Sequence, residues 1–119
     1  MPKIFVYGTL KRGGSNHHYL QDQTYIADAQ TVPGYTLYQP ADYPGLVPAA
    51  NDSAGVTGEV WEITLECLQA VDALEGTTEG LYARKHILLA PPHDSFQVET
   101  YYYLPPIAGY PHLGSTWPV

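Results

Sequence analysis

The sequence predicts an α+β domain, rich in strands and turns and with one clear helix. Three observations carry this. Short apolar segments rich in β-branched and aromatic residues recur along the chain. Eleven glycines and 11 prolines punctuate them. A single stretch repeats its apolar residues at helical rather than strand spacing. At 119 residues the chain suits one domain spanning residues 1–119, large enough to bury a core.

Taken in order, Lys3 to Tyr7 reads as the first strand. Tyr25 to Val32, Tyr35 to Gln39 and Val56 to Ile63 follow, bounded by Pro33-Gly34, by Pro40 and Pro44-Gly45, and by Gly55. The helix comes next: Thr64 is a suitable N-cap, Leu65, Leu68, Val71 and Leu74 share a face, and Gly76 ends it. Leu81 to Ala90 and Phe96 to Leu104 complete the strands, and Pro91-Pro92-His93-Asp94-Ser95 between them reads as a hairpin connection. Gly109 to Val119 is Pro-rich and weakly patterned, a possible tail or flap over a cavity.

Composition excludes several classes. A net charge of −7 disfavours nucleic acid and anionic membranes, both of which need a basic surface. No apolar run reaches the roughly 20 residues of a membrane-spanning helix, and Met1-Pro2-Lys3-Ile4 has no signal-peptide pattern. The expectation is a cytoplasmic protein, a monomer or weak homodimer. Cys67 stands alone and reads as a small buried hydrophobe. No metal and no cofactor are expected.

The five basic residues, Lys3, Lys11, Arg12, Arg84 and Lys85, cluster in two regions, which suggests a local site for a small anion such as a carboxylate. The first region is Ile4-Phe5-Val6-Tyr7 running into Gly8-Thr9-Leu10-Lys11-Arg12-Gly13-Gly14. A strand that breaks into glycine in this way leaves backbone N–H groups facing outward, a concavity for an anion. It is not a P-loop, because Gly14 stands where that motif needs lysine. Adjacent His17 and His18 converge poorly on one metal ion and are read as exposed or behind the site.

Glu75 falls in the last turn of the helix, where the negative end of the helix dipole raises a carboxylate's proton affinity. It is therefore either a surface glutamate or a proton acceptor. Arg84, two residues after Tyr82, faces the same side of its strand; it either anchors a substrate carboxylate, neutralises Glu75, or makes a structural ion pair. Glu59 is a rival carboxylate, and Asp72 is assigned to the helix surface. The 11 tyrosines read as core with hydroxyls at its rim.

Phe5-Val6-Tyr7-Gly8-Thr9-Leu10-Lys11-Arg12-Gly13, Asn16-His17, Gly58-Glu59-Val60-Trp61, Leu74-Glu75-Gly76 and Tyr82-Ala83-Arg84 closely resemble the gamma-glutamylcyclotransferase-like superfamily. The resemblance is strongest to the branch of gamma-glutamylamine cyclotransferase and plant avirulence-induced-gene-like proteins, and it spans residues 3 to about 104. It implies a small mixed, mostly antiparallel β-barrel with few helices and a cavity at one end. It implies that Tyr7, Gly8, Thr9 and Leu10 form the substrate loop, that Glu75 is the catalytic acid/base and that Tyr82 lines the pocket. By position, one of Tyr101 to Tyr103 joins them, with Tyr103 the assignment, alongside Arg84. Lys11 and Arg12 are placed at the rim.

The implied reaction is attack of a gamma-glutamyl substrate's own α-amine on its amide, releasing 5-oxoproline and a free amine. The nucleophile belongs to the substrate, so no catalytic triad is needed; orientation and proton transfer are. The alternative function on the same fold is a non-catalytic small-molecule-binding or interaction module. The presence of Glu75 with Tyr7, Gly8 and Tyr82 favours the enzyme, because a binder needs no proton shuttle.

Overall fold

The computed structural model describes all 119 residues. Eight strands form one mixed sheet: β1 (Lys3–Val6), β2 (Thr24–Gln30), β3 (Tyr35–Tyr38), β4 (Gly45–Pro48), β5 (Thr57–Glu62), β6 (Tyr82–Ile87), β7 (Val98–Tyr103) and β8 (His112–Gly114). One α-helix, α1 (Leu65–Glu75), and a 3-10 turn at His17–Leu20 accompany them.

The sheet order is β2-β5-β1-β7-β4-β3-β8, with β6 also on β7. Only β1–β7 and β4–β7 pair parallel, so antiparallel pairs dominate, as expected. The sheet curls into a half-barrel. At one end its seam is bridged where the chain after β6 meets the end of β2, with Val32 N donating to Leu88 O (3.1 Å) and Ala90 N to Gln30 O (2.8 Å).

Residues of β1 alternate between two buried clusters, as the period-2 geometry of a strand requires. Phe5 joins Leu37, Leu46, Val60, Ile87 and Val98 inside the curl. Ile4 and Val6 pack on the other face with Trp61 and the α1 residues Cys67, Leu68 and Val71. Burial on both faces explains why the first strand reads as an unbroken apolar run. Leu65, placed on the helix's apolar face from sequence, is instead 68% exposed; a strict three-residue repeat drifts around a 3.6-residue helix.

Three elements escaped the sequence reading: β4, β8 and the 3-10 turn. Pro44-Gly45 looks like a turn, yet Gly45 opens β4 because its missing side chain admits Tyr103, whose Cβ lies 2.7 Å from where a Gly45 Cβ would sit. The C-terminal segment is neither a tail nor a flap over the Glu75 cavity. It is a strap: β8 pairs with β3, Thr57 N donates to Ser115 O (2.8 Å), and Lys11 Nζ donates to Trp117 O (2.6 Å).

Candidate active site

Glu75 owes its place to the way α1 ends. Thr64 Oγ1 caps the helix by accepting from Cys67 N at 3.0 Å. At the other end Gly76 adopts φ 69°, a left-handed conformation that glycine takes without steric cost, and returns its N–H to Ala73 O at 3.2 Å. The helix therefore stops with Glu75 on the face that also carries Leu68, Val71 and Asp72. Glu75 is partly buried and has no hydrogen-bond or ion-pair partner in the protein. Burial pushes its carboxyl up to about 7; loss of water, rather than the helix terminus, is the cause.

Facing it is the loop after β1. Its carbonyls are all engaged: Gly8 O accepts Lys11 N (3.1 Å), Thr9 O accepts Asn16 N (2.9 Å), and Leu10 O lies 2.9 Å from His17 Nδ1. Asn16 Nδ2 also donates to Thr9 Oγ1 at 3.0 Å. The N–H groups of Gly8, Thr9 and Leu10, by contrast, donate to nothing within the chain. Unpaired main-chain donors of this kind are what an anion-binding site needs. Gly8 is required by close approach, since a Cβ there would lie 2.6 Å from Pro44 Cγ.

Loop and carboxylate line one cavity. Tyr7, Gly8, Thr9, Leu10, Glu75 and Tyr82 all border it, together with Phe5, Val6, Tyr43, Pro44 and Tyr101. Its inner part encloses about 30 Å³, and an adjoining outer cleft of about 240 Å³ is bordered by Asn16, Leu74 and Leu81. Thr9, Tyr43, Glu75 and Tyr82 border both parts, so Glu75 stands at the junction.

Three of the four tyrosine hydroxyls around the cavity are already committed, Tyr43 being the exception. Tyr7 donates to Tyr101 O (2.7 Å) and accepts from Leu46 N (3.2 Å), Tyr82 donates to Pro44 O (2.6 Å), and Tyr101 donates to Asp72 Oδ1 (2.6 Å). Burial raises all three phenols above their ordinary range, keeping them neutral. The unengaged polar groups thus include the three loop amides, the Glu75 carboxylate and the Tyr43 hydroxyl. One side can bind negative charge, and the other can take up or release a proton.

Two expected site residues are not at the cavity. Arg84 is held in ion pairs with Asp72 (3.0 Å) and Glu99 (2.7 Å), because β6 carries it past the cavity to the side of α1. Tyr103 shares a face of β7 with Tyr101 but lies two residues further along, edge-on to Tyr82 at 5.3 Å and packed on Gly45. Tyr101 takes the place in the cavity wall, since it is the one that meets α1.

The basic residues do not build an anion site there either. Arg12 pairs with Glu59 (3.0 Å) and Asp28 (2.8 Å), Lys3 with Glu62 (3.3 Å), and Lys11 with the strap; Lys85 lies over the Tyr102 ring. Lys11 and Arg12 therefore face away from the cavity rather than forming its rim. Glu59 is fully partnered, accepting from Arg12 and from Trp61 Nε1 (3.1 Å). Asp72 is a bonded hub rather than a helix-surface residue. Tyr43 and Pro44 went unnoticed in sequence because they sit in a turn-like segment without a chemical motif.

Fold and cavity define a class: a small α+β half-barrel in which bare backbone amides and one unpartnered carboxylate share a cleft. The chain belongs to the family described as "Gamma-glutamyl cyclotransferase, AIG2-like", whose model matches residues 4–118. It is 36% identical over 107 residues to the gamma-glutamylcyclotransferase family protein YtfP of Escherichia coli K12, covering 90% of this chain and 87% of that one. It is 35% identical over 89 residues to the gamma-L-glutamyl-butirosin B gamma-glutamyl cyclotransferase of Niallia circulans, covering 71% of this chain and 55% of the relative. Among solved structures, an AIG2-like protein from Mus musculus superposes with a TM-score of 0.79 at 30% identity, covering 97% of this chain and 87% of that one. The matches to three curated relatives span only 60%, 55% and 50% of those relatives' own lengths.

Proposed function

We propose that this protein is a cyclotransferase that cleaves a gamma-glutamyl amide through attack by the substrate's own α-amine, yielding 5-oxoproline and a free amine. The observation that carries this reading is the unpartnered Glu75 sharing a cavity with the unpaired N–H groups of Gly8, Thr9 and Leu10.

The loop amides hold the glutamyl end and supply donors to the oxyanion that forms as the ring closes. Holding amine and carbonyl in register accounts for most of the rate gain in a five-membered ring closure. Glu75 takes a proton from the α-ammonium and then gives one to the departing amine. A carboxyl raised to about 7 suits both steps, because each protonation state is populated near neutral pH. The leaving amine projects into the outer cleft. The alternative, a non-catalytic small-molecule-binding or interaction module on the same fold, gives the unpartnered Glu75 carboxylate no role.

The test is to incubate the purified protein with a panel of gamma-glutamyl amides and gamma-glutamyl peptides and measure 5-oxoproline. Release by the native protein and its loss in Glu75→Gln are expected. Full activity of the folded variant rules Glu75 out as acid/base, and no release from any substrate rejects the enzymatic reading.

A further inference from the structure

Asp72 lies one turn before Glu75 on α1 and collects the bonds that Glu75 lacks. Its Oδ1 accepts the Tyr101 hydroxyl at 2.6 Å and Arg84 Nε at 3.0 Å, while Arg84 Nη1 is anchored on Glu99 at 2.7 Å. Nothing in the proposed reaction uses these groups. Residues three apart on a helix are neighbours, with Cβ atoms about 5–6 Å apart. Tyr101 itself lines the cavity with Glu75, and the Glu75 charge is among the influences that raise the Tyr101 phenol. The Tyr101 hydroxyl, brought from β7 to this face of α1, is thus bonded to Asp72 while its ring shares the cavity wall with Glu75.

We propose that Asp72 is a positioning residue: fixed by Arg84, it holds the Tyr101 hydroxyl away from Glu75 and leaves the Glu75 carboxylate without a donor. This rests on the reading of Glu75 as the acid/base. The consequence is chemical, because a hydrogen bond donated to a carboxylate favours its charged form and weakens it as a base. None of the remaining groups around Glu75 is hydrogen-bonded to it, and Tyr101 is the one hydroxyl among them held by a carboxylate. Tyr7, from the loop after β1, and Tyr82, on β6, donate to backbone carbonyls. Tyr43, between β3 and β4, borders the cleft, and Glu79, beyond α1, adds only negative charge near Gly76. No lysine or arginine borders either part of the cavity.

The test is a 13C NMR titration of the Glu75 side-chain carboxyl in the native protein and in Asp72→Asn, Asp72→Ala, Tyr101→Phe and the Asp72→Ala/Tyr101→Phe double variant. Asp72→Asn removes the charge but keeps an oxygen for Tyr101, whereas Asp72→Ala removes both. The Glu75 midpoint in Asp72→Ala is expected to fall at least about half a pH unit below that in Asp72→Asn, and the double variant to return it to the Asp72→Asn value. The acidic limb of 5-oxoproline release should move in parallel. Equal midpoints in Asp72→Ala and Asp72→Asn overturn the proposal, as does a double variant that stays low. If the alanine variants do not fold, Tyr101→Phe decides: an unchanged Glu75 midpoint is expected, and a raised one means that Tyr101 already donates to Glu75, contrary to the proposal. The titration reads Glu75 without turnover, so midpoints that move as expected in a protein that cleaves no substrate reject the enzymatic reading and leave the Asp72 assignment standing.

Discussion

The Pro44 ring lies against Gly8 so closely that a Cβ on Gly8 would approach Pro44 Cγ to 2.6 Å and Cδ to 2.9 Å. This contact seats the loop from Gly8 to Leu10 on the cavity wall. Gly8→Ala must push the two apart, which should cost about 1–3 kcal/mol of stability and displace the loop amides. A loss of 5-oxoproline release of about tenfold or more is expected, larger than the drop in folded fraction explains. Steady-state kinetics beside a denaturant melt check this, and native kinetics in the alanine variant would count against the loop.

Pro44 is in turn held by Tyr82, whose hydroxyl donates to its carbonyl at 2.6 Å. In Tyr82→Phe that buried carbonyl loses its donor, at a cost of about 1–3 kcal/mol. Because the hydroxyl is committed to Pro44, the variant should lose stability and substrate affinity while keeping most of kcat. A collapse of kcat with unchanged KM would instead assign the hydroxyl to the reaction.

Glu75→Gln removes the proton carrier while conserving shape. A rate loss of about 10²–10⁴-fold is expected. Thermal melts of the native and variant proteins at neutral pH should show no loss of stability in the variant, since no bond to Glu75 is broken.

The raised Glu75 carboxyl also predicts two pH dependences. Its value of about 7 lies above the ordinary 4.5, so the folded state binds a proton more tightly than the unfolded chain. Its contribution to stability is fully present below pH 4.5 and is lost as the pH rises through about 7, by at most roughly 3 kcal/mol at 1.36 kcal/mol per pH unit. Native and Glu75→Gln proteins compared by denaturant melts from pH 4 to 8 should diverge in that window, with the native losing ground. In the proposed mechanism the base form is the active one, so kcat/KM should climb with pH and level off above about 7. A flat profile from pH 5.5 to 8 would contradict the assignment.

The strap predicts a purely structural phenotype. Removing Tyr110 to Val119 strips β8 from β3 and takes away Leu113 and Trp117, which pack on the interior cluster. Unfolding should become easier by about 2 kcal/mol or more, with no gain in turnover at temperatures where the shortened chain is folded. A gain would mean that the segment restricts the cavity.

How far the site could be read from sequence depended on the range of the interactions. Local chemistry marked the loop from Tyr7 to Leu10 as a strand breaking into glycine and, through Thr64 and Gly76, put Glu75 in the last turn of the helix, but it left Glu75 open between a surface glutamate and a proton acceptor; the family resemblance singled it out. Arg84 misled because alternation states which residues share a face but not how far along the strand the cavity extends. Tyr101 and Tyr103 are indistinguishable by the same rule, and only the meeting of β7 with α1 separates them. Basic residues close to a motif in sequence proved to be tied to Glu59, Asp28, Asp72 and Glu99, partners 12 to 47 residues away.

By itself the sequence determined the α+β class, most of the strands and both ends of α1, all features set by propensity, capping and periodicity within a few residues, while the two halves of the candidate site were named through the family resemblance. The tertiary structure alone decided which polar groups remain free. Hydrogen bonds and ion pairs between distant segments engage every arginine and the hydroxyls of Tyr7, Tyr82 and Tyr101, and burial without a partner distinguishes Glu75 from Asp72 on the same helix.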